Sequence, residues 1–324
     1  MEEPTTSTTA QQQQPQQAPY VSLPAPCDAL VYSDSDKLAV ATSNLTGKIW
    51  NGEVLIFEGK NKRRCFTTAS GNCDICWLGP KSEYAVSATD EGAIFLWSLL
   101  EANVDKAKQV FAEHDDTVSA LCASPNNHNE FVSGSWDTKA KIWDTEEGRS
   151  SVTLEGHLDS IYTLDWNKKD PNMILTGGKD KRILNWDKRQ GLVAQRYQMP
   201  CGVFSVAVNP QNEHVFAAGL EAAVVHVYDT RKPTEPLIVD DAIHEESVRK
   251  VVFSPHDSSL LACAADDATV TVFRTDEHHE NGQHCYRSEA HRDYVRGLAW
   301  NPDKQNLLAS GGWDKAIYLH TISS

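Results

Sequence analysis

The sequence predicts an all-β chain folded as a seven-bladed propeller, and three observations carry that expectation. Four times, a histidine is followed 23 residues later by an aspartate and, six residues beyond that, by a ring side chain. Seven apolar segments recur along the chain, each followed by an Asn, Pro or Gly turn, a second apolar segment, an Asp-containing turn and a third segment. The last unit stops after its third segment, while a β-prone stretch, Tyr20 to Leu23, precedes the first unit.

The four copies are His114, Asp137 and Trp143; His157, Asp180 and Trp186; His244, Asp267 and Phe273; and His291, Asp314 and His320. Successive units start about 43 to 47 residues apart, the period of a four-stranded blade of the WD-repeat class. Inner strands are expected to begin near Asp28, Cys73, Val118, Ile161, Val203, Val248 and Val295. Their runs are apolar on both faces, as a sheet sandwiched between two neighbours requires. Outer strands read more weakly, for example Ser151 to Leu154 and Gln195 to Tyr197. Residues 20–324 are therefore expected to form one closed seven-bladed WD-repeat β-propeller, with Tyr20 to Leu23 supplying the strand missing from the last blade. Residues 1–19 are Gln-rich, polar and Pro-broken, with too little apolar surface to offset the entropy of ordering, and are expected to be a disordered tail.

The formal charge of −15 disfavours nonspecific binding to nucleic acid or anionic membranes, because both need Lys and Arg to neutralise phosphate; basic protein partners fit better. No apolar run is long enough for a transmembrane helix, and no secretory signal pattern is present at the N-terminus, so a soluble intracellular protein is expected. The eight cysteines lie mostly inside apolar strand patterns and read as reduced thiols used as small hydrophobes.

Several motifs invite a chemical reading. His114, Ser133 and Asp137 are the residue types of an acyl-transfer triad, yet the set recurs as His157, Thr176 and Asp180 and as His291, Ser310 and Asp314. An active site is needed once, so the repetition favours a structural network in which His bonds the turn Asp and the hydroxyl, with Trp143 or Trp186 behind. Cys73 and Cys76 form a C-x-x-C pair with no second pair or nearby His to complete a metal site, so no metal and no catalytic residue is expected. Ile183 to Arg189, ILNWDKR, has the form some WD-repeat proteins use to dock onto cullin-type ubiquitin ligase adaptors.

Trp97, Trp143 and Trp186 end third strands, and Trp77, Trp166 and Trp300 end inner strands, so these six read as packing residues. Trp136 and Trp313 precede turn aspartates, at positions expected to face the mouth of the propeller. The first unit differs from the others. Where they have tight turns such as SWDTK, it has SNLTGKIWNG from Ser43 to Gly52. This long loop offers Leu45, Ile49, Trp50 and Asn51 as partner contacts, with Trp313 as a further candidate.

SNLTGKIWNGEVLIF from Ser43, EHDDTVSAL from Glu113 and SEAHRDYVRGLAWNPDKQNLLASGGWD from Ser288 resemble the methylosome WD-repeat subunits, partners of the symmetric (type II) protein arginine methyltransferase. The likeness follows all seven units, and the Gln-rich tail lies outside it. The resemblance implies a non-catalytic adaptor, cytoplasmic and nuclear, whose propeller binds the N-terminal barrel of the methyltransferase in a 4:4 hetero-octamer. It further implies that the adaptor stabilises the enzyme and helps present Arg-rich histone and spliceosomal tails, with S-adenosylmethionine on the partner enzyme only. In that family the matching loop tryptophan inserts into the methyltransferase, a role that falls to Trp50 here. The alternatives are a ubiquitin-ligase substrate receptor using Trp186 to Arg189 and a hydrolase using a repeated triad.

Overall fold

The computed structural model describes residues 17–34, 36–44, 50–101, 105–276 and 283–322. Within them every regular element is a strand, and the strands form seven antiparallel four-stranded sheets, the blades of a closed propeller. The inner strands, numbered by blade from 1 to 7, are Cys27–Tyr32, Asn72–Leu78, Val118–Ala123, Ile161–Trp166, Val203–Val208, Val248–Phe253 and Val295–Trp300. Valine recurs through them, a β-branched side chain that packs well on a pleated surface. The expected weak outer strands are longer than the sequence suggested, running Arg149–Glu155 and Leu192–Gln198. Their alternating exposed and half-buried residues obscure the apolar signal, because one face of an outer strand meets water.

Seven large apolar clusters fill the molecule, and each spans two neighbouring blades. Between blades 2 and 3, for example, Ile94 and Phe111 pack on Val118, Phe131 and Trp143. A blade therefore buries both faces only if it has a neighbour on each side. The seam obeys the same rule. Blade 7 takes its fourth strand from the other end of the chain, with Val21 opposite Ile317 and Ser22 opposite Ala316. Tyr20 and Leu23 donate backbone N–H groups to the carbonyls of Ile317 and Lys315, both at 2.7 Å, and the Leu23 side chain enters the cluster shared by blades 7 and 1.

Inner strands face a central channel, where side chains of one blade receive free N–H groups of the next. Asp74 accepts the Leu121 N–H at 2.8 Å, Asp165 the Val208 N–H at 2.7 Å, Thr163 the Val206 N–H at 3.0 Å and Ser205 the Val251 N–H at 3.0 Å. Trp77 and Trp300 donate indole N–H bonds to Val31 and Val252 of the preceding blades. These bonds settle donors that a buried strand edge would otherwise leave unpaired.

The seam yields a test. Deleting residues 1–16 should leave the melting temperature nearly unchanged, because the paired segment starts later. Deletion through Pro26 removes the edge pairing and the Leu23 contact and should cost about 4 kcal/mol, from one buried aliphatic side chain and two to three hydrogen bonds. Thermal unfolding of the two truncations checks this, and equal melting temperatures would contradict the role of the seam.

Candidate interaction face

The loops before the inner strands and the turns between second and third strands meet on one face of the ring, joined by a bond that repeats in every blade. The turn residues Ser43, Asp90, Trp136, Lys179, Glu221, Asp266 and Trp313 each donate their backbone N–H to the residue just before the inner strand, at 2.9 to 3.2 Å. These seven positions are equivalent in backbone and unlike in chemistry, so the fold places them and the sequence differentiates them.

Four blades add the histidine network. The Nδ1 atoms of His114, His157, His244 and His291 lie 2.7, 2.9, 2.9 and 3.0 Å from Asp137, Asp180, Asp267 and Asp314. Each aspartate also accepts the N–H of the residue after its histidine, such as Leu158 to Asp180 at 3.0 Å. Each caps its own turn as well, accepting an N–H two residues on, such as Lys139 to Asp137 at 2.9 Å. The intervening Thr138, Lys181, Ala268 and Lys315 have φ between 62° and 72°, a left-handed conformation that this capping holds in side chains other than glycine.

Behind the ring, His114 Nε2 lies 2.7 Å from Ser133 Oγ, and Trp143 Nε1 donates to the same oxygen at 2.8 Å. His157, Thr176 and Trp186 repeat the pattern at 2.7 and 2.8 Å. An indole N–H can only donate, so the hydroxyl oxygen accepts it while also meeting His Nε2, and Nδ1 faces the aspartate. Ser133, Thr176 and Ser310 are fully buried, and in the first two an indole N–H occupies the hydroxyl oxygen, so neither presents a nucleophile to a substrate.

Two copies vary in a way the sequence did not announce. In blade 6 the ring residue is Phe273, which has no N–H, and Cys263 stands where the other copies have a hydroxyl. His244 Nε2 is met instead by Thr271 Oγ1 at 2.9 Å. In blade 7 His320 replaces tryptophan: Tyr286 lies 3.0 Å from its Nδ1, and its Nε2 lies 2.7 Å from Ser310 Oγ. Burial, reinforced by nearby His291, pushes the His320 pKa down to about 4, which keeps it neutral.

The candidate partner residues divide. Trp50 is 59% exposed at the foot of the long turn of blade 1, the most exposed of the nine tryptophans. Asn51 opens the third strand opposite Asn44, and its Oδ1 is buried with no hydrogen-bond partner. Leu45 and Ile49 lie outside the described residues. Trp313 is half-buried, donating its N–H to Asp28 at 3.0 Å and packing against Tyr294 and Arg296. Together with Trp136, which is 44% exposed and sits edge-on to Tyr162, it lines a channel mouth of about 520 Å3. Cys73 faces this mouth and Cys76 is buried in the apolar layer, so the pair does not converge; all eight cysteines are free thiols, and among the described residues no group of His, Cys, Asp and Glu could hold a metal. In the WDKR segment, Arg189 is held by its own Asp187 at 2.7 Å, and Lys188 reaches Glu130 of blade 3. The first pairing recurs in blade 5 as Arg231 on Asp229 at 2.6 Å, which makes it a local brace of the turn after a third strand.

These features define a seven-bladed WD-repeat β-propeller, a scaffold whose turn-bearing face suits protein–protein contacts. The family description "WD domain, G-beta repeat" matches residues 105–144, 148–187, 242–274 and 282–321. Those segments hold the turn aspartates of the four His-Asp copies, and blades 1, 2 and 5 diverge from it. Over 309 residues, 91% of this chain, the protein is 28% identical to methylosome protein WDR77 of Xenopus laevis, covering 89% of that protein. It is 25% identical over 310 residues to GATOR2 complex protein WDR24 of Danio rerio, but spans only 39% of that longer chain. It is also 25% identical over 201 residues, 61% of this chain, to the E3 ubiquitin-protein ligase COP1 of Arabidopsis thaliana.

The network predicts a stability defect on mutation. Asp180→Ala leaves the His157 N–H and the Leu158 N–H without an acceptor and should cost about 1 to 3 kcal/mol in denaturant unfolding. Acid titration gives a second readout. Burial alone would raise the Asp137 carboxyl, but hydrogen bonds from His114 and from the Lys139 and Asp115 N–H groups outweigh it and bring the pKa down to about 2. The folded value is below the unfolded one, roughly 3.9. Its stabilisation is therefore complete above about pH 4 and disappears as pH falls toward 2. Asp137→Asn should flatten the stability–pH curve in that window and leave its slope above pH 5 unchanged.

Proposed function

We propose that this propeller is the adaptor subunit of a symmetric (type II) protein arginine methyltransferase complex, acting in the cytoplasm and nucleus. In this reading it stabilises the enzyme in a 4:4 assembly and presents Arg-rich substrate proteins such as histone and spliceosomal tails. The carrying observation is the full-length likeness to methylosome protein WDR77, which runs through the divergent blades 1, 2 and 5 as well as the common repeats. The geometry supports it independently. A rigid ring with an exposed tryptophan on a long loop is the arrangement of an interface anchor, since the scaffold carries the ordering cost before binding. The net charge of −15 suits basic substrates.

A second reading, substrate receptor of a cullin-type ubiquitin ligase, is favoured by the WDKR segment and by the likeness to COP1. That likeness covers 61% of this chain, and the Arg189 guanidinium in the segment is already engaged by Asp187. Affinity purification from cells separates the two readings according to which partner, an arginine methyltransferase or a ligase adaptor, co-purifies in stoichiometric amount.

Trp50 is the sharper test. Burying a tryptophan removes about 150 to 250 Å2 from water, worth roughly 4 to 6 kcal/mol gross, and fixing the exposed side chain on binding takes some of this back. Trp50→Ala should therefore weaken methyltransferase binding by at least about 2 kcal/mol, roughly thirtyfold. Because the side chain is exposed in the free chain, the melting temperature should barely move. Calorimetric titration of folded variants checks this, and unchanged affinity for Trp50→Ala would refute the anchor.

A further inference from the structure

The third strand of blade 1, Asn51–Glu58, opens on the dipeptide Asn51–Gly52, with Asn51 opposite Asn44 and Gly52 opposite Ser43. An asparagine followed by glycine carries a built-in reaction. The side-chain amide carbon and the next backbone nitrogen belong to one short stretch of chain, so attack is intramolecular, and glycine has no Cβ to crowd the approach. Packing keeps the glycine in place. A Cβ at Gly52 would lie 2.4 Å from Asn72 Nδ2, 2.5 Å from the Thr42 carbonyl oxygen and 2.9 Å from that of Ser70. The close approach of blade 2 therefore demands at position 52 the residue that leaves Asn51 vulnerable. Asn281–Gly282, the other such pair, lies outside the described residues.

The Asn51 amide is also untethered. Its Oδ1 is buried with no hydrogen-bond partner, and its Nδ2 makes no hydrogen bond among the described residues. Other amides are held, Asn72 by Thr42 and Thr68, Asn167 by Glu213, Asn209 by Ser258 and Asn301 by Asp36. Ladder pairing with the second strand ends at Asn51, and the preceding Trp50 is exposed. The end of a strand opens at a small fraction of the free energy that unfolds the domain, so Asn51 can part from Asn44 and turn its side chain toward the Gly52 nitrogen. We propose that Asn51 is a spontaneous modification site. Gly52 N bonds to Asn51 Cγ as the Cγ–Nδ2 bond breaks; the Gly52 N–H proton leaves with Nδ2 as ammonia, and a cyclic imide remains. Water then opens the imide at either carbonyl. One opening gives aspartate, and the other gives isoaspartate, in which the backbone runs through the side chain and gains a methylene. No oxidant, metal or enzyme takes part. Either product puts a carboxylate where Oδ1 now meets no donor, and isoaspartate also shifts the register of the strand. The pairs of Asn51 with Asn44 and of Gly52 with Ser43 then give way, and the turn bearing Trp50 loses its fixed end. The modification does not rest on the methyltransferase reading.

The test ages the full chain in warm, mildly alkaline buffer and maps its peptides by mass spectrometry, with fragmentation that separates isoaspartate from aspartate. Position 51 should acquire the mass gain of amide to acid as a mixture of both products. It should do so faster than Asn72 and Asn185, which sit in paired strands and precede Cys73 and Trp186. Hydrogen exchange of the aged protein should quicken at the Asn51 to Glu53 amides and stay unchanged in the inner strands. Asn51→Gln, whose longer side chain closes the corresponding ring far more slowly, should form neither product at that position and keep its exchange pattern on ageing. An Asn51 that persists in the folded chain while it converts in the urea-unfolded chain would overturn the proposal, because strand pairing would then protect it. Aspartate without isoaspartate would overturn the imide route, and unchanged exchange in the converted protein would overturn the loss of pairing. None of these readouts involves the methyltransferase, so the outcome is independent of that reading.

Discussion

Every blade of this protein has two apolar faces, and that single constraint decides the rest. A sheet buried on both sides cannot end an array without exposing a core, so seven blades must each find two neighbours. The only arrangement without an exposed end is a closed ring. Closure here depends on a short pairing between Val21–Ser22 and Ala316–Thr321, reinforced by Leu23 in the shared cluster, so the two ends of the sequence hold the molecule shut. The inter-blade bonds made by Asp74, Thr163, Asp165 and Ser205 serve the same end, because they turn the free edges of inner strands into links between blades.

The aspartates of the His-Asp copies do for the face what closure does for the ring. Asp137, Asp180, Asp267 and Asp314 each tie a turn, an imidazole and a loop backbone together, and the imidazole passes the connection inward to a buried hydroxyl or, in blade 6, to Thr271. Such a network is rigid because each aspartate and each buried hydroxyl is held by several partners at once. Blades 1, 2 and 5 lack the histidine, and the long turn bearing Trp50 belongs to one of these. Relaxing the clamp in that blade is compatible with a turn of different length, whereas a clamped turn has its register set by the aspartate.

A rigid face with seven equivalent but chemically different turn positions is a general device for recognising several partners at once. Trp50 lies over blade 1, the aromatic run Trp136, Tyr162 and Phe204 over blades 3 to 5, and a charged wall of Arg249 and Arg296 around Asp266 over blades 6 and 7. These surfaces differ in charge and are held at constant spacing by the ring.

The sequence by itself determined the blade count, the inner strands and the four His-Asp copies, because spacing of 23 and six residues survives whatever else the blades vary. It also singled out the segment Tyr20 to Leu23 and the anomalous loop before Trp50, since a missing strand and an overlong turn are visible as breaks in a period. The full length of the outer strands was not legible, because their outward residues alternate with half-buried ones and blur the apolar pattern. Nor was the substitution of Thr271 for the missing hydroxyl in blade 6, since it comes from the neighbouring strand and breaks the local spacing. The charged wall of the channel mouth was equally hidden. Arg249, Lys250 and Arg296 look like ordinary surface charges along the chain, and only the packing of consecutive blades around the channel brings their two inner strands, one shared Asp266 and the aromatic pair Phe204 and Tyr162 to the same mouth. Periodicity records what each blade repeats, whereas the channel mouth is made from what the blades do not share, and such differences acquire meaning only when the ring sets them side by side.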